Sequence, residues 1–244
     1  MQCSAHEFFF HSNTNSVSQY CGSSSLDIAS NLSPMIRAHD AQQALSLIKN
    51  AKRVLCICHR APDGDAVGSL LGMGLLLEQH LGSVPVLLYC KDAVPETFRF
   101  LANVERVQSD LLLQPGDAVI FLDCAEPKLT GYLEECPSLF HGDFPVLLID
   151  HHVSNPGFGT VNIIISEASS ACEIVFQLAR EWSWSLDTDS ATCLLTGVYT
   201  DTGGLLHNNT TAEVYRTAAE LMRAGARHQL VVSSVFRTVR PSTL

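Results

Sequence analysis

Several features are missing from this 244-residue sequence, and each absence excludes a class of protein. No apolar run approaches the roughly 18 residues that a membrane-spanning helix needs. The N-terminal residues show neither the basic start and apolar centre of a secretory signal nor the arginines of an organelle transit peptide. The nine cysteines are scattered and form no Cys-x-x-Cys pair, which indicates free thiols in a reducing cytoplasm.

Charge is also scarce. Charged residues make up 16% of the chain, hydrophobic residues make up 46%, and the net charge is −10. Because disordered chains are poor in apolar residues and highly charged, this composition predicts a globular domain. The acidic balance argues against a surface for general nucleic-acid binding. It is compatible with a small phosphorylated substrate, since carboxylates that hold metal ions also count as negative.

The chain divides into a leader and a folded unit. Residues 1–34 are rich in Ser and Asn without a sustained hydrophobic period, so we expect a disordered leader and a domain over residues 35–240. Apolar runs predict strands at 53–59, 85–90, 118–123 and 146–150. Helical patterns occur at 36–49, 66–80, 171–182, 190–200, 211–224 and 229–239. This alternation predicts an α/β fold with a mostly parallel sheet and helices on both faces.

Acidic residues and histidines follow three of these strands and one helix. They are His59, Asp63, Asp65, Asp123, Asp150, His151, His152 and Asp201. Because the carboxyl ends of parallel strands meet at one edge, we expect these side chains to share a crevice. Crowded carboxylates repel one another, and bound divalent cations would relieve that repulsion. Mixed oxygen and imidazole ligands suit Mn²⁺, with Zn²⁺, Fe²⁺ or Co²⁺ as alternatives.

Each signal also has a structural interpretation. Asp65 alone is typical of a helix N-cap, and Asp-His-His alone is compatible with a solvated turn. Ser170-Ala-Cys-Glu173 spells a capping box, which helix initiation explains without any substrate. Gly68, Gly72 and Gly74 are expected to allow close helix packing. The joint pattern at the strand ends favours a functional site over these separate interpretations.

Four segments, in order, resemble the motifs of the DHH phosphoesterase family. They are His59-Arg-Ala-Pro-Asp63-Gly-Asp65-Ala-Val-Gly68-Ser69, Asp123, Asp150-His151-His152 and Gly197-Val-Tyr-Thr-Asp201-Thr-Gly203. The proline of the first motif and the Ala-x-Gly-Ser after it resemble one branch of the family. That branch degrades very short RNAs and dephosphorylates 3′-phosphoadenosine 5′-phosphate (pAp).

The resemblance implies roles for these residues. One metal ion would be held by His59, Asp63 and Asp123, and the other by Asp65, Asp123, His151 and Asp201, with Asp123 as the bridge. Two Mn²⁺ ions are implied, with Mg²⁺, Co²⁺ or Zn²⁺ as alternatives, and a water that they activate would attack phosphorus. Asp123 and His152 would be catalytic, Asp150 would orient an imidazole, and Ser169 and Ser170 would contact substrate.

We therefore expect a cytoplasmic hydrolase that cleaves short oligoribonucleotides or pAp, compatible with a homodimer and without a membrane partner. A phosphodiesterase for cyclic or linear dinucleotides and a pyrophosphatase remain alternatives on the same site. Family members usually continue through a linker into a smaller C-terminal substrate-binding domain. Here residues 241–244 are expected to begin the linker, with that domain absent and the activity impaired. An idle, truncated nucleotide-binding remnant is the alternative that is not an enzyme.

Overall fold

A parallel sheet organises the chain in the computed structural model, which describes residues 36–235. The leader expected at 1–34 and the linker expected at 241–244 lie outside these residues. The strands are β1 (Arg53–Cys58), β2 (Val86–Tyr89), β3 (Asp117–Leu122), β4 (Val146–Asp150) and β5 (Val161–Ile164). They pair in parallel in the order β2-β1-β3-β4-β5. The α/β class with a parallel sheet is confirmed.

Six α-helices occur within residues 36–235. They are α1 (Ala38–Lys49), α2 (Gly64–His80), α3 (Ala171–Glu181), α4 (Thr188–Asp201), α5 (Ala212–Arg223) and α6 (His228–Val235). Their bounds lie close to the predicted ones where both fall in the described part of the chain. Strand β5 was not predicted, because this four-residue edge strand is mostly part-exposed and shows no long apolar run.

The two faces of the sheet are covered differently. Alternate residues of β1 face two separate cores, and all the α-helices of the described residues pack on the side of Val54, Cys56 and Cys58. The opposite core is closed by Leu139 and Phe140 of the 3₁₀ helix Pro137–Phe140 and by loop residues such as Tyr132 and Phe158. This helix begins at a proline, which is tolerated in a first helical turn. The second face is therefore covered by a short 3₁₀ helix and by loops.

The strand order fixes where a ligand can enter. Strand β2 lies on one side of β1, and β3 and the later strands lie on the other. The strand order therefore reverses between β1 and β3. In open α/β sheets, the crevice beyond the carboxyl ends at such a point binds ligands. The register pairs Cys58 with Leu122, so the residues that follow them emerge side by side. These are His59 and Asp123.

Helix α2 is buried and packs closely against α4. A Cβ atom at Gly68 would lie 2.6 Å from the carbonyl oxygen of Cys193, and one at Gly72 would lie 2.6 Å from Leu194 Cδ2. One at Gly74 would lie 2.7 Å from Leu88 Cδ2. The expectation that these glycines permit close packing is confirmed.

Among residues 36–235, no helix is both long and apolar enough to cross a membrane.

The contact at Gly68 predicts a stability difference within one helix. Gly68→Ala should lower the free energy of unfolding by about 1–3 kcal/mol, because the new methyl group meets rigid backbone. Gly74→Ala should lower it by less than about 1 kcal/mol, because the end of a leucine side chain can move and alanine favours helix. Urea denaturation of both variants measures this. Equal losses in the two would contradict the packing argument.

Candidate metal centre

Seven of the predicted site residues converge at the carboxyl edge of β1, β3 and β4. Their potential ligand atoms form three groups, each within 4.8 Å: His59, Asp63 and Asp123; Asp65, His151 and Asp201; and Asp123, His151 and His152. The segments that carry them are far apart in sequence, and the adjacency of the three strands brings them together. Oxygen and imidazole donors at this spacing could hold metal ions.

Asp123 lies at the centre of these groups. It follows β3 in a left-handed conformation (φ 57°), while its N–H still donates to the carbonyl of Ile149 in the neighbouring strand. Its side chain is only 3% exposed, with Oδ2 3.4 Å from His59 Nε2 and Oδ1 3.5 Å from His151 Nε2. Oδ1 accepts no hydrogen bond from the described residues. Each carboxylate oxygen thus faces a different imidazole, as a bridging ligand would.

His59 and Asp63 complete the first group. His59 Nε2 lies 3.8 Å from Asp63 Oδ1. His59 Nδ1 lies 2.7 Å from the carbonyl oxygen of Arg60, which can only accept a hydrogen bond. The Nδ1 atom therefore carries the hydrogen, so that in the neutral ring the lone pair of Nε2 is available to a metal.

Asp63, not Asp65, is the N-cap of α2. Asp63 Oδ1 accepts from the amides of Asp65 and Ala66, each at 3.0 Å. The carboxylate of Asp65, 1% exposed, instead accepts from the first two amides of α3, those of Ala171 at 2.6 Å and Cys172 at 3.0 Å. The N-terminus of a helix stabilises a carboxylate. The structural interpretation of Asp65 as a cap for its own helix is therefore wrong, because that role falls to the residue two positions earlier.

His151 connects the second group. Its Nε2 atom lies 3.6 Å from Asp201 Oδ2 and 3.9 Å from Asp65 Oδ2. Asp201 is the last residue of α4, which runs one residue further than predicted. The side chain of Asp201 is 28% exposed, so this group opens toward solvent.

Asp150 lies behind His152. His152 Nδ1 is 2.9 Å from Asp150 Oδ1, and the side-chain Nδ2 of Asn155 donates to Asp150 Oδ2 at 2.6 Å. Asp150 is fully buried, whereas the side chain of His152 is 44% exposed. A buried, anchored carboxylate thus orients an accessible imidazole. Sequence analysis missed Asn155, which lies in a Ser-Asn-Pro-Gly segment typical of a turn.

Ser169 and Ser170 have no exposed surface. Ser170 Oγ accepts from the N–H of Glu173 and caps α3, while the N–H of Ser169 donates to Glu173 Oε2. Their burial gives no support to the expected contact with a substrate, and capping explains Ser170.

The crowded groups shift one another's pKa values. Burial alone would lower the pKa of both imidazoles, but the contact with Asp123 raises the pKa of His59 to about 11 and that of His151 to about 9. Burial and the charge of Asp123 raise the pKa of Asp201 to about 6 and that of Asp65 well above its usual value. Against its burial, the two imidazoles hold the pKa of Asp123 below its usual range. The charge of the imidazoles thus offsets that of the carboxylates beside them.

The chain matches known proteins over most of its length. Residues 53–198 match the model of the DHH family, N-terminal domain. The bifunctional oligoribonuclease and PAP phosphatase NrnA of Thermus thermophilus is 35% identical over 171 residues, which are 69% of this chain and 49% of that protein. The protein of the same name from Mycoplasma pneumoniae is 28% identical, over 75% of this chain and 56% of that protein. The chain thus spans about half the length of these relatives.

A solved structure is similar to the fold. A crystal structure of an exopolyphosphatase-related protein from Bacteroides fragilis superimposes with a TM-score of 0.76 at 24% identity. The match covers 85% of this chain and 63% of the other. At this identity the likeness concerns the fold.

The position of Asp123 predicts a loss of metal binding without a loss of fold. Asp123→Asn keeps the side-chain shape and tolerates the left-handed backbone, but it removes the charge that both imidazoles face. We expect Mn²⁺ binding to weaken by roughly 100-fold or more in calorimetry, since several kcal/mol of charge compensation are lost. The exposed Asp143→Asn serves as control and should bind Mn²⁺ like the wild type. Unchanged binding in Asp123→Asn would contradict the bridging geometry.

The raised pKa values predict the sign of a pH dependence. At pH 6–8, His59 and His151 carry protons in the metal-free protein, because their pKa values are about 11 and about 9. A cation must displace these protons, so its affinity should rise by about tenfold per pH unit for each proton released. Calorimetric titrations with Mn²⁺ at several pH values measure the affinity. Repeating them in buffers of different ionisation heat gives the number of protons released. An affinity independent of pH between 6 and 8 would be inconsistent with this account.

Proposed function

We propose that this chain, which belongs to the DHH family, hydrolyses phosphate esters of short oligoribonucleotides or pAp with the help of two divalent cations. The observation that carries the proposal is the carboxylate of Asp123. Its two oxygens face the imidazoles of two separate ligand groups, and one of them is buried without a hydrogen-bond donor. A carboxylate shared in this way supports a two-cation site.

The proposed ligands divide between the two ions as the geometric groups do. His59, Asp63 and Asp123 would hold one ion. Asp65, His151 and Asp201, with Asp123, would hold the other. Bound cations would lower the pKa of a water molecule and offset the charge of the substrate phosphate. We propose Mn²⁺ because the donor set combines imidazoles with carboxylates.

His152 would supply the proton for the leaving group. Its Nδ1 atom is engaged by the buried carboxylate of Asp150, which raises the pKa of His152 and favours the imidazolium. The Nε2–H would then be free to donate to an oxygen of the phosphate or to the leaving oxygen. The exposure of His152 allows such contact, since nearly half of the side chain is open to solvent.

The proposed substrate class is the one named for the relatives. Two proteins that match most of this chain are named as oligoribonucleases and PAP phosphatases, and both substrates named there are small phosphate esters. A net charge of −10 supports a small ligand over a long nucleic-acid strand. We also propose a reducing cytoplasm as the location, since the seven cysteines within residues 36–235 are free thiols.

The proposal predicts a metal-dependent release of mononucleotide. The chain is incubated with Mn²⁺ and either a 5′-labelled RNA dinucleotide or pAp, and product is followed with and without EDTA. We expect release that EDTA abolishes and that Asp123→Asn lowers by roughly 100-fold or more. His152→Gln should lower kcat by roughly 100-fold or more while Mn²⁺ binding stays at the wild-type level.

Other outcomes discriminate between the candidate functions. Cleavage of a cyclic dinucleotide or of pyrophosphate, but not of RNA or pAp, would replace the substrate class and keep the site. Tight Mn²⁺ binding without turnover of any of these compounds would favour a nucleotide-binding module. Weakened Mn²⁺ binding in His152→Gln would make His152 a ligand and not a proton donor, which is the arrangement of the third geometric group.

A further inference from the structure

We infer that Asn209 is a positioning residue that sets the spacing between Asp65 and Asp201, two ligands of the proposed second cation. The inference rests on the proposed function, because it assigns a role within that metal centre. Asn209 belongs to none of the sequence motifs and to none of the ligand groups. It lies in the loop between α4 and α5 and is partly buried.

The side-chain amide of Asn209 joins two distant parts of the backbone. Its Nδ2 atom lies 3.2 Å from the carbonyl oxygen of Ser169 and 3.3 Å from the carbonyl oxygen of Asp201. Both partners can only accept, so the NH₂ group must face them, and its two hydrogens match the two carbonyls. If the amide were flipped, Asn209 Oδ1 would face the carbonyl oxygens of Ser169 and Asp201, and three acceptors would meet without a donor.

The first of these carbonyls belongs to the segment that holds Asp65. Ser169 immediately precedes the N-cap of α3, and the next two amides, those of Ala171 and Cys172, hold the carboxylate of Asp65. A shift of this segment would carry the two amides with it. The position of Asp65 therefore depends on where the start of α3 is fixed.

The second carbonyl belongs to Asp201 itself. As the last residue of α4, Asp201 has a carbonyl without a partner inside the helix. Asn209 Nδ2 and His207 Nδ1 contact this carbonyl oxygen, at 3.3 Å and 3.2 Å. The carboxylate of Asp201 is more exposed than that of Asp65, so its place beside His151 depends on the anchored backbone.

Asn209 thus links the start of α3 to the end of α4, and each of these helix ends fixes one ligand of the same group. The other group, which contains His59 and Asp63, is held by the ends of β1 and α2 and shares no hydrogen bond with Asn209. Removing the amide should therefore affect the two groups unequally. This inequality distinguishes a positioning role from a general role in folding.

The test is a calorimetric titration of the metal-free chain with Mn²⁺, in which two binding events are resolved. In Asn209→Ala we expect one event to weaken by roughly 10- to 100-fold and the other to stay at the wild-type affinity. Asn209→Leu keeps a branched side chain without N–H donors and should behave in the same way. Asn208→Ala changes the adjacent, exposed residue and should leave both events unchanged.

The outcomes separate this inference from the proposed function. Wild-type protein that binds fewer than two Mn²⁺ ions would overturn the two-cation proposal, and the inference with it. Two wild-type events that weaken equally in Asn209→Ala, or that do not change, would overturn the inference alone. Circular dichroism of the metal-free variants checks their fold. If Asn209→Ala and Asn209→Leu both fail to fold, Asn209 has a role in folding and the inference is wrong.

Discussion

Repulsion among carboxylates is the constraint on which the rest of this structure depends. Four carboxylates lie at one edge of the sheet together with three imidazoles: Asp63 and Asp123 share one ligand group, and Asp65 and Asp201 share another. Such a group persists only if positive charge is interleaved with it. The strand order provides this, because β4, which delivers His151 and His152, lies next to β3, which delivers Asp123. Each oxygen of Asp123 then lies close to the Nε2 atom of a histidine, at 3.4 Å for His59 and 3.5 Å for His151.

The backbone amides at helix N-termini fix two carboxylates that do not directly follow a strand. Asp63 is fixed by the amides that begin α2, and Asp65 by the amides that begin α3. Backbone N–H groups and the helix dipole favour the ionised carboxylate at both places. The close packing of α2 on α4, which the glycines permit, keeps these helix ends near the end of α4 and thus near Asp201.

Much of the fold and the identity of the crowded residues could be predicted from the sequence. Buried strands have continuous apolar runs, and polar residues directly after them must lie at the carboxyl edge. The role of each residue within this cluster of acidic residues and histidines could not be predicted in full. Asp63 and Asp65 are two residues apart, and the cap of α2 depends on the residue at which the helix begins, which is Gly64. The backbone amides that hold Asp65 come from α3, which is distant in sequence. Asn209 has no local signal, since both of its partners are backbone carbonyls from distant segments.

The interleaved imidazoles have a consequence for how the protein matures. Since the contact with Asp123 raises the pKa of His59 and of His151, imidazolium charge can offset the acidic edge without a bound cation. Folding would then not require the cations of the proposed site, unlike in small zinc domains, where the ion itself drives folding. A polypeptide that folds first would bind those cations only afterwards, so the ligand types and the supply of ions would decide between Mn²⁺ and its competitors.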